Sequence, residues 1–190
     1  AERDRSPLSQ KLKEKKKEAN TQNEEKTLDK TMKMEVLELK LGPSLLTLIQ
    51  GDSELLDKIR GIRNNIAGQL GFVIPQRRIS DGNDTALNEY VFHLKRIPIA
   101  KGNVEINKLL AMGGIGGAKI DGKKVKEPVF GLDATWISEA QKGEALTKGF
   151  TVVDAPTIIS THISELIKKH AEDIITRQDI VNIVDRLKEN

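Results

Sequence analysis

Cysteine is absent from this sequence of 190 residues. Its absence excludes disulfide bonds, thiolate nucleophiles and zinc sites built on Cys ligands, and it is compatible with a reducing compartment. Long apolar runs are also absent: no stretch approaches the ~18 apolar residues that a membrane-spanning helix needs. The first residues are charged and have no apolar core, so we do not expect them to act as a secretory signal.

Aromatic residues are scarce, at 3% of the chain, with a single tryptophan and a single tyrosine. Two of the few aromatics, Phe130 and Trp136, lie close together within residues 126–141. Phe130 belongs to a Pro-X-Phe-Gly turn that a lone glutamate, Glu127, precedes. From the residues alone, each aromatic side chain can belong to the core or face a partner.

The net charge of +3 is not spread along the chain. Residues 1–33 hold ten Lys or Arg against seven Asp or Glu, which leaves 21 of each sign in residues 34–190. The neutral remainder argues against a nucleic-acid surface, since phosphate binding needs a basic field. Residues 1–33 hold too few apolar residues to define a buried face, so we interpret them as a charged, flexible linker. A short segment that docks on a neighbouring subunit or on an anionic surface is the alternative.

The first half of the ordered sequence mixes strand and helix patterns. Alternation predicts a strand from Met34, and "FVIP", "QRRIS" and "NEYVFHLKRIPIAKG" predict further strands. One face of the last stretch carries Tyr90, Phe92 and Leu94. Between these strands, Asp52 or Ser53 begins a helix with Gly71 after its end. Its apolar stripe consists of Leu55, Ile59, Ile62, Ile66 and Leu70.

The composition of the sequence changes at about Val104. A stretch rich in Gly and Lys is followed by a predicted helix over 135–148, whose apolar side includes Trp136, Ile137, Ala140 and Leu146. "FTVVD" predicts a strand that leads into a helix capped by Asp154 with Pro156 in its first turn.

These patterns predict an α+β fold of a mixed-sheet first subdomain with a small inserted second subdomain that is α+β and split βαβ-like. A truncated helical start of a third subdomain follows, opened by a capping box at Thr176 and Asp179. The predicted division is residues 34–104 and 155–174 for the first, 105–154 for the second and 175–190 for the third.

No motif in the sequence indicates catalysis or a cofactor. The glycine-rich loop at 113–117 lacks the Gly-Lys-Ser/Thr ending of a phosphate loop and is interpreted as a flexible loop. His162 and His170 lie eight residues apart, about 12 Å along a helix, which is too far to share one metal ion, and no third ligand is suggested. These two and His93 are expected to be structural or exposed. Arginines 60, 63, 77 and 78 are expected to form a solvated face or ion pairs. We therefore expect no enzyme, metal or cofactor.

Four stretches carry a family resemblance: "LLDKIRGIRNNIAGQLGFVIPQRRISD", "NEYVFHLKRIPIAKG", "EPVFGLDATWI" and "GFTVVDAPTIISTHISELIKKHAEDIITRQDI". They resemble the cytoplasmic part of the type III secretion export-gate family, which flagella and virulence injectisomes share. The resemblance covers roughly residues 34–190. It implies that residues 1–33 connect to a membrane half and that the source protein is a bacterial inner-membrane protein with this part on the cytoplasmic side.

The resemblance also implies function. Members dock export chaperone–substrate complexes and the export ATPase assembly, and the full-length protein self-associates as a ring. Glu127, Phe130 and Thr161 match the family positions of the docking cleft between the first two subdomains. This implies that Phe130 faces outward while Trp136 packs in the core, although burial of Phe130 in its own turn stays open. No nucleic acid or small-molecule substrate is expected.

Two alternatives to a flagellar export gate remain open from the sequence. The first is the export gate of a virulence injectisome. The second is a small RNA-binding α+β module, in which Tyr90 and Phe92 would stack on bases.

Overall fold

The computed structural model describes residues 37–70, 78–82 and 84–175, together with residues 180, 181, 184, 185 and 188 near the end of the chain. The linker predicted at 1–33, the strand predicted at 72–74 and the capping box predicted at 176–179 lie outside these ranges. Most of the third subdomain predicted at 175–190 does too.

Between residues 37 and 175 the described chain forms eight strands and four α-helices, and the described residues beyond 175 are helical as well. The strands are β1 Leu37–Leu41, β2 Arg78–Asp81, β3 Glu89–Leu94, β4 Ile97–Asn103, β5 Leu109–Gly113, β6 Lys123–Lys126, β7 Asp133–Ile137 and β8 Phe150–Asp154. The helices are α1 Glu54–Leu70, α2 Lys142–Thr147, α3 Ala155–Lys169 and α4 Ala171–Ile174. Short 3-10 turns occupy Pro43–Ile49, Ile115–Gly117 and Glu139–Gln141.

The first sheet has the strand order β2-β1-β3-β4. Strands β1 and β2 pair in parallel, whereas β1 with β3 and β3 with β4 pair antiparallel. The parallel pair requires a crossover connection, which α1 provides. A mixed sheet with helices packed on it confirms the predicted α+β class.

Helix α1 begins where the sequence supplies a cap. The Ser53 hydroxyl accepts a hydrogen bond from the Leu56 N–H at 3.2 Å and donates one to the Leu48 carbonyl. Of the two predicted caps, Ser53 is therefore the one used, and its hydroxyl satisfies an N–H that the first turn leaves open. The predicted stripe faces inward: Leu55, Ile59 and Ile66 are buried.

The main core lies between the first sheet and helices α1 and α3. Leu39 pairs with Phe92 and Leu41 with Tyr90 in the β1–β3 register, and all four side chains are fully buried. Burial of one such side chain is worth roughly 1.5–3 kcal/mol, so these cross-strand pairs form a substantial part of the core. The prediction that Tyr90 and Phe92 share one face of β3 is confirmed.

The second sheet is antiparallel, with the order β6-β7-β5-β8, and each of its faces is covered differently. Leu110, Ala134 and Trp136 belong to the main core together with the side chains of the first sheet. The opposite face forms a smaller cluster around Ile137 and Phe150, which Ala145 of α2 covers. Trp136 is buried, as predicted, and it packs the second sheet onto the main core.

The helix predicted over 135–148 is wrong in its first part. Thr135, Trp136 and Ile137 lie in strand β7, paired with β5 on one side and β6 on the other. A 3-10 turn and the six residues of α2 follow. Of the four residues of the predicted stripe, Trp136 and Ile137 are adjacent in the strand, Ala140 lies in the 3-10 turn and Leu146 lies in α2. Leu146, which the prediction placed on the apolar side, is 56% exposed. Tertiary pairing overrides the weak helical pattern here.

Helix α3 starts directly at the end of β8. The Asp154 carboxylate accepts a hydrogen bond from the Thr157 N–H at 2.8 Å, and Pro156 lies in the first turn. Both features agree with the predicted start. Ile159, Ile163 and Ile167 of α3 are buried against the first sheet and α1.

Gly102 of β4 lies where the first sheet meets the second. A Cβ atom at this position would lie 2.4 Å from the Tyr90 hydroxyl oxygen and 2.8 Å from the Pro128 Cβ. Tyr90 is fully buried and hydrogen-bonded, so its ring has no room to move aside. A glycine at 102 therefore allows Tyr90 and Pro128 to approach the same backbone.

We expect Gly102→Ala to lower the free energy of unfolding by ~1–3 kcal/mol, because the added methyl group overpacks a closed site. Denaturant unfolding monitored by circular dichroism measures the change. Gly61→Ala is the matched control: Gly61 lies in α1 with open space where its Cβ would stand. There, the better helix propensity of alanine is expected to raise stability by up to ~1 kcal/mol. Equal behaviour of the two variants would contradict the overpacking.

Candidate functional site

The loop that joins β6 to β7, residues 127–132, carries two of the three predicted site residues and is called the Phe130 loop below. An ion pair of 2.8 Å between Lys126 and Asp133 closes its base. These two residues are also the last register pair of the two strands. Beyond them, the Glu127 N–H donates to the Leu132 carbonyl at 2.8 Å, so the loop begins and ends at fixed points.

Glu127 organises the interior of the Phe130 loop. Its carboxylate is turned inward, with the residue only 4% exposed, and accepts the N–H groups of Val129 at 2.5 Å and Phe130 at 2.8 Å. Its backbone carbonyl accepts the Gly131 N–H at 2.9 Å. Gly131 has a φ of 71°, a left-handed conformation that favours glycine. One side chain thus satisfies two loop N–H groups that no strand partner reaches, and charge-assisted bonds of this kind are strong.

The same loop presents apolar groups to solvent. Phe130 is 62% exposed and Leu132 is 54% exposed. A phenyl ring has few rotatable bonds and a large apolar area, so fixing it in a rigid loop costs little entropy when a partner buries it. The arrangement is suited to anchoring a protein partner. It holds no nucleophile or acid–base pair.

Beneath the Phe130 loop lies a buried hydrogen bond between the first sheet and α3. The Tyr90 hydroxyl and the His162 Nδ1 are 2.9 Å apart, and the rings of Tyr90, Phe92 and His162 pack edge to face. Burial, and secondarily the Glu127 carboxylate, raise the pKa of the Tyr90 hydroxyl far above its ordinary range. The hydroxyl therefore keeps its proton within this hydrogen bond.

The Glu127 charge also acts on His162. Burial lowers the pKa of the His162 imidazole below 6.5, and the nearby Glu127 carboxylate opposes this shift. Pro128, the next residue in the loop, contacts the Gly102 site. The Phe130 loop of the second sheet is therefore supported by Tyr90 and Gly102 of the first sheet and by His162 of α3.

The third predicted site residue, Thr161, lies on α3 next to His162. It is half-buried, and its hydroxyl donates to the Thr157 carbonyl one turn earlier at 2.8 Å. The structure thus brings Glu127 and Phe130 into one loop. Thr161 lies on α3, the helix that also carries His162, whose pKa the Glu127 carboxylate affects. The described hydrogen bonds of Thr161 and of the loop do not connect them. The assignment of these three residues to a docking cleft stays a prediction.

Sequence reasoning missed three contributors to this arrangement. Leu132 adds a second exposed apolar side chain to the loop, while Gly102 and the Tyr90–His162 bond support it from below. The sequence does contain a signal for Leu132, since it is a second apolar residue two positions after Phe130 in the same turn. The Tyr90–His162 bond spans 72 positions of sequence and leaves no local pattern. His162 is structural, as the sequence analysis expected.

Other candidate sites remain without supporting geometry. In the part of the chain that the structure describes, no group of three or more His, Asp or Glu side chains is placed to hold a metal ion. Across the same residues, no helix combines the length and the hydropathy required to cross a bilayer. The glycine-rich loop at 113–117 ends β5 and forms a 3-10 turn instead of opening a helix.

The RNA-binding alternative fails on burial. Both Tyr90 and Phe92 have 0% of their surface exposed, because they face α3 and the main core. A base cannot stack on a ring that is closed off in this way.

Comparison with known proteins places the chain in a family. The FHIPEP family model matches residues 1–190, the whole sequence. The chain belongs to the FHIPEP family. Among FHIPEP proteins, the flagellar biosynthesis protein FlhA of Helicobacter pylori is 44% identical over 167 residues, which is 86% of this chain and 23% of that protein. FlhA of Bacillus subtilis is 42% identical over 157 residues, 81% of this chain and 23% of its own length. The chain therefore spans about a quarter of the curated FHIPEP relatives that it matches.

Solved structures share the fold at low sequence identity. The Chlamydia pneumoniae CdsV protein matches with a TM-score of 0.68 at 18% identity, covering 81% of this chain and 48% of that one. CdsV in a complex with CdsO gives 0.66 at 18% identity, covering 81% and 50%. The nonameric EscV cytosolic domain from the type III secretion system gives 0.53 at 18% identity, covering 82% and 45%. The resemblance to the export-gate family is confirmed.

We expect stability to depend on the protonation of His162. Because burial lowers its folded-state pKa, the unfolded chain binds this proton more readily. The free energy of unfolding therefore falls as the pH drops through 6.5, the ordinary value, towards the folded-state pKa. Above 6.5 this contribution is fully present. Denaturant titrations across this window measure the slope.

Two variants assign the slope to its residue. His162→Asn removes the titrating ring and is expected to flatten the pH dependence, whatever its effect on stability at a single pH. The control is His170→Asn, which replaces a histidine in an exposed contact with Asp173. Because this variant keeps His162, the pH dependence of its unfolding free energy should match that of the wild-type protein. Parallel pH curves for the wild-type protein and His162→Asn would contradict the assignment.

Proposed function

We propose that this chain is part of the cytoplasmic portion of a bacterial flagellar type III protein export gate. In this role it docks export chaperone–substrate complexes and acts by binding, not by catalysis. The observation that carries the proposal is the Phe130 loop, which holds an exposed phenyl ring rigidly through the buried Glu127 carboxylate. Membership of the FHIPEP family and relatives named flagellar biosynthesis protein FlhA support it.

Docking in this proposal depends on Phe130 as an anchor. An incoming polypeptide buries the ring in an apolar pocket of its own, and Leu132 widens the apolar contact. Thr161, half-buried at the neighbouring helix, supplies a hydroxyl that favours partners able to hydrogen-bond to it and penalises those that leave it unpaired. Glu127 acts from inside the loop by fixing the anchor's position.

The wider assembly belongs to the same proposal. Self-association of the full-length protein as a ring is supported by the nonameric arrangement of the EscV cytosolic domain, which shares the fold. Contact with the export ATPase assembly is proposed from the family resemblance, and the CdsV–CdsO complex is a precedent for partner binding on this fold. The source protein is proposed to reside in the bacterial inner membrane with this part on the cytoplasmic side.

Sequence identity to the relatives favours a flagellar export gate over that of a virulence injectisome. The relatives that share 44% and 42% identity carry a flagellar name, whereas EscV, from a type III secretion system, shares 18%. The same loop would serve either machine, so the docking role does not depend on this choice.

We expect Phe130→Ala to weaken binding of the cognate chaperone–substrate complex by roughly 1–3 kcal/mol, since a buried aromatic anchor is lost. Because the ring is exposed in the free chain, unfolding stability should change by less than ~0.5 kcal/mol. Isothermal titration calorimetry of purified candidate complexes gives the affinity.

The control for this experiment is Leu146→Ala. Leu146 is 56% exposed, close to the value of Phe130, but it lies on α2 at the far face of the second sheet. It should leave the affinity unchanged. Equal affinity of Phe130→Ala and the wild-type chain would remove the loop from the docking surface.

We also expect Glu127→Ala to weaken docking through Phe130. The substitution leaves the N–H groups of Val129 and Phe130 without their acceptor, so the loop loses its fixed shape. The double variant Glu127→Ala, Phe130→Ala should then bind about as weakly as Phe130→Ala alone, because coupled residues are non-additive. Additive losses in this double-mutant cycle would contradict the claim that Glu127 acts on docking through Phe130.

A further inference from the structure

The hairpin that connects β3 to β4 turns through two basic residues, Lys95 and Arg96. Both have a left-handed backbone conformation, with φ of 49° and 68°. A two-residue turn of this kind favours Asn-Gly, because most other residues seldom adopt a positive φ. Both side chains are exposed, so packing in the core does not offset this cost. Strained residues that do not serve packing point to a role outside the fold itself.

The tip of this hairpin, residues 95–98, combines positive charge with exposed apolar surface. Ile97 is 65% exposed, and Pro98 next to it is exposed as well. Among the described residues, the Lys95 ammonium group has no hydrogen-bond or ion-pair partner. The Arg96 guanidinium group carries five N–H donors, so its interaction within the chain leaves donors for an anion. The tip therefore presents cationic groups and an apolar side chain together.

Acidic residues are absent from the chain around the tip, since none lies between Glu89 and Glu105. On the neighbouring strand β1, the Glu38 carboxylate accepts a hydrogen bond from the Ser80 hydroxyl of β2 at 2.9 Å. This bond lies on the side of β1 away from β3 and the hairpin. The tip is therefore locally positive, even though residues 34–190 carry equal numbers of charges of each sign.

The chain enters the first sheet beside this tip. Leu37, the first residue of β1, is paired with Leu94, the last residue of β3. The preceding residues 1–33 hold ten Lys or Arg against seven Asp or Glu, and five of the lysines fall within residues 11–17. The basic N-terminal segment thus joins the fold at the end of the sheet that carries the tip.

The tip is remote from the Phe130 loop. Tyr90, which lies below that loop, precedes Leu94 by four residues in β3, about 14 Å along an extended strand. Gly102, with its contact to Pro128, lies at the Tyr90 end as well, since the register pairs Gly102 with Tyr90. The tip therefore belongs to the outer end of the first sheet and not to the space between the two sheets.

We propose that residues 95–98 contact an anionic lipid surface, with Lys95 and Arg96 at the headgroup phosphates and Ile97 inserted at the boundary of the acyl chains. Such a surface attracts the cations and buries the apolar side chain in one contact. A nucleic acid offers phosphates too, but the tip has no aromatic residue on which bases could stack. The basic residues 1–33 strengthen the same attraction. The contact goes beyond the proposed docking role and does not depend on it.

Lipid vesicles test this contact with the full chain. The probe is a vesicle of mixed phosphatidylglycerol and phosphatidylcholine, and a vesicle of phosphatidylcholine alone is its neutral control. Co-sedimentation is expected to show binding to the mixed vesicles that weakens as salt is raised. Binding to the neutral vesicles is expected to be at least about tenfold weaker, because the electrostatic attraction is missing.

Insertion can be measured at the tip itself. The chain has no cysteine, so Ile97→Cys accepts a single environment-sensitive fluorophore. Its emission is expected to shift to the blue on the mixed vesicles, as the label leaves water. Leu146→Cys is the matched control, since it labels an exposed apolar position on α2 and should give no shift.

Removal of charge is matched in the same way. Lys95→Asn combined with Arg96→Gly is expected to lower the affinity for the mixed vesicles about tenfold to thirtyfold. Because Asn-Gly is favoured in this turn, the denaturant midpoint of unfolding should not fall. Lys124→Gln combined with Lys142→Gln removes the same charge from exposed positions of β6 and α2. This control should change the affinity by less than about threefold, since those charges lie away from the tip.

The proposal is overturned by the absence of binding to the mixed vesicles, or by a label at position 97 that stays in water when the chain binds. Equal affinity of the two charge variants also overturns it, because lipid binding would then belong to residues 1–33 alone. Binding of a polyglutamate peptide without binding of vesicles would identify an acidic protein as the occupant instead.

Discussion

The carboxylate of Glu127 accepts hydrogen bonds from the N–H groups of Val129 and Phe130, and the conformation of the Phe130 loop depends on these two bonds. A loop of six residues would otherwise leave these backbone donors to water and sample many conformations. With the donors satisfied inside the loop, the apolar side chains of Phe130 and Leu132 are left for solvent or for a partner. The buried charge is tolerated because hydrogen bonds replace its hydration.

The support under this loop comes from both sheets. Trp136 brings the second sheet into the main core, and the Tyr90–His162 bond ties the first sheet to α3 directly below Glu127. Gly102 lets Tyr90 and Pro128 approach the same stretch of backbone. The loop is thus held by packing that spans the whole chain between β1 and α3, even though its own hydrogen bonds are local.

Much of this organisation could be predicted from sequence where the signal is local. The stripe of α1 with its Ser53 cap, the inward face of β3 and the Asp154 cap of α3 follow from periodicity and capping chemistry, and the structure has them. Trp136 was correctly expected in the core but on a helix. Its stretch is short, and strand pairing with β5 and β6 decides its conformation. The Tyr90–His162 bond joins distant positions and had no sequence signature.

Asp154 has two roles in the chain: it is the last residue of β8 and the N-cap of α3. Strand and helix therefore share a residue, with no intervening linker to absorb a change in angle. The same residue that completes the pairing of β8 with β5 thus starts the helix that carries Thr161 and His162. The point at which β8 leaves the second sheet therefore fixes where α3 begins in the first.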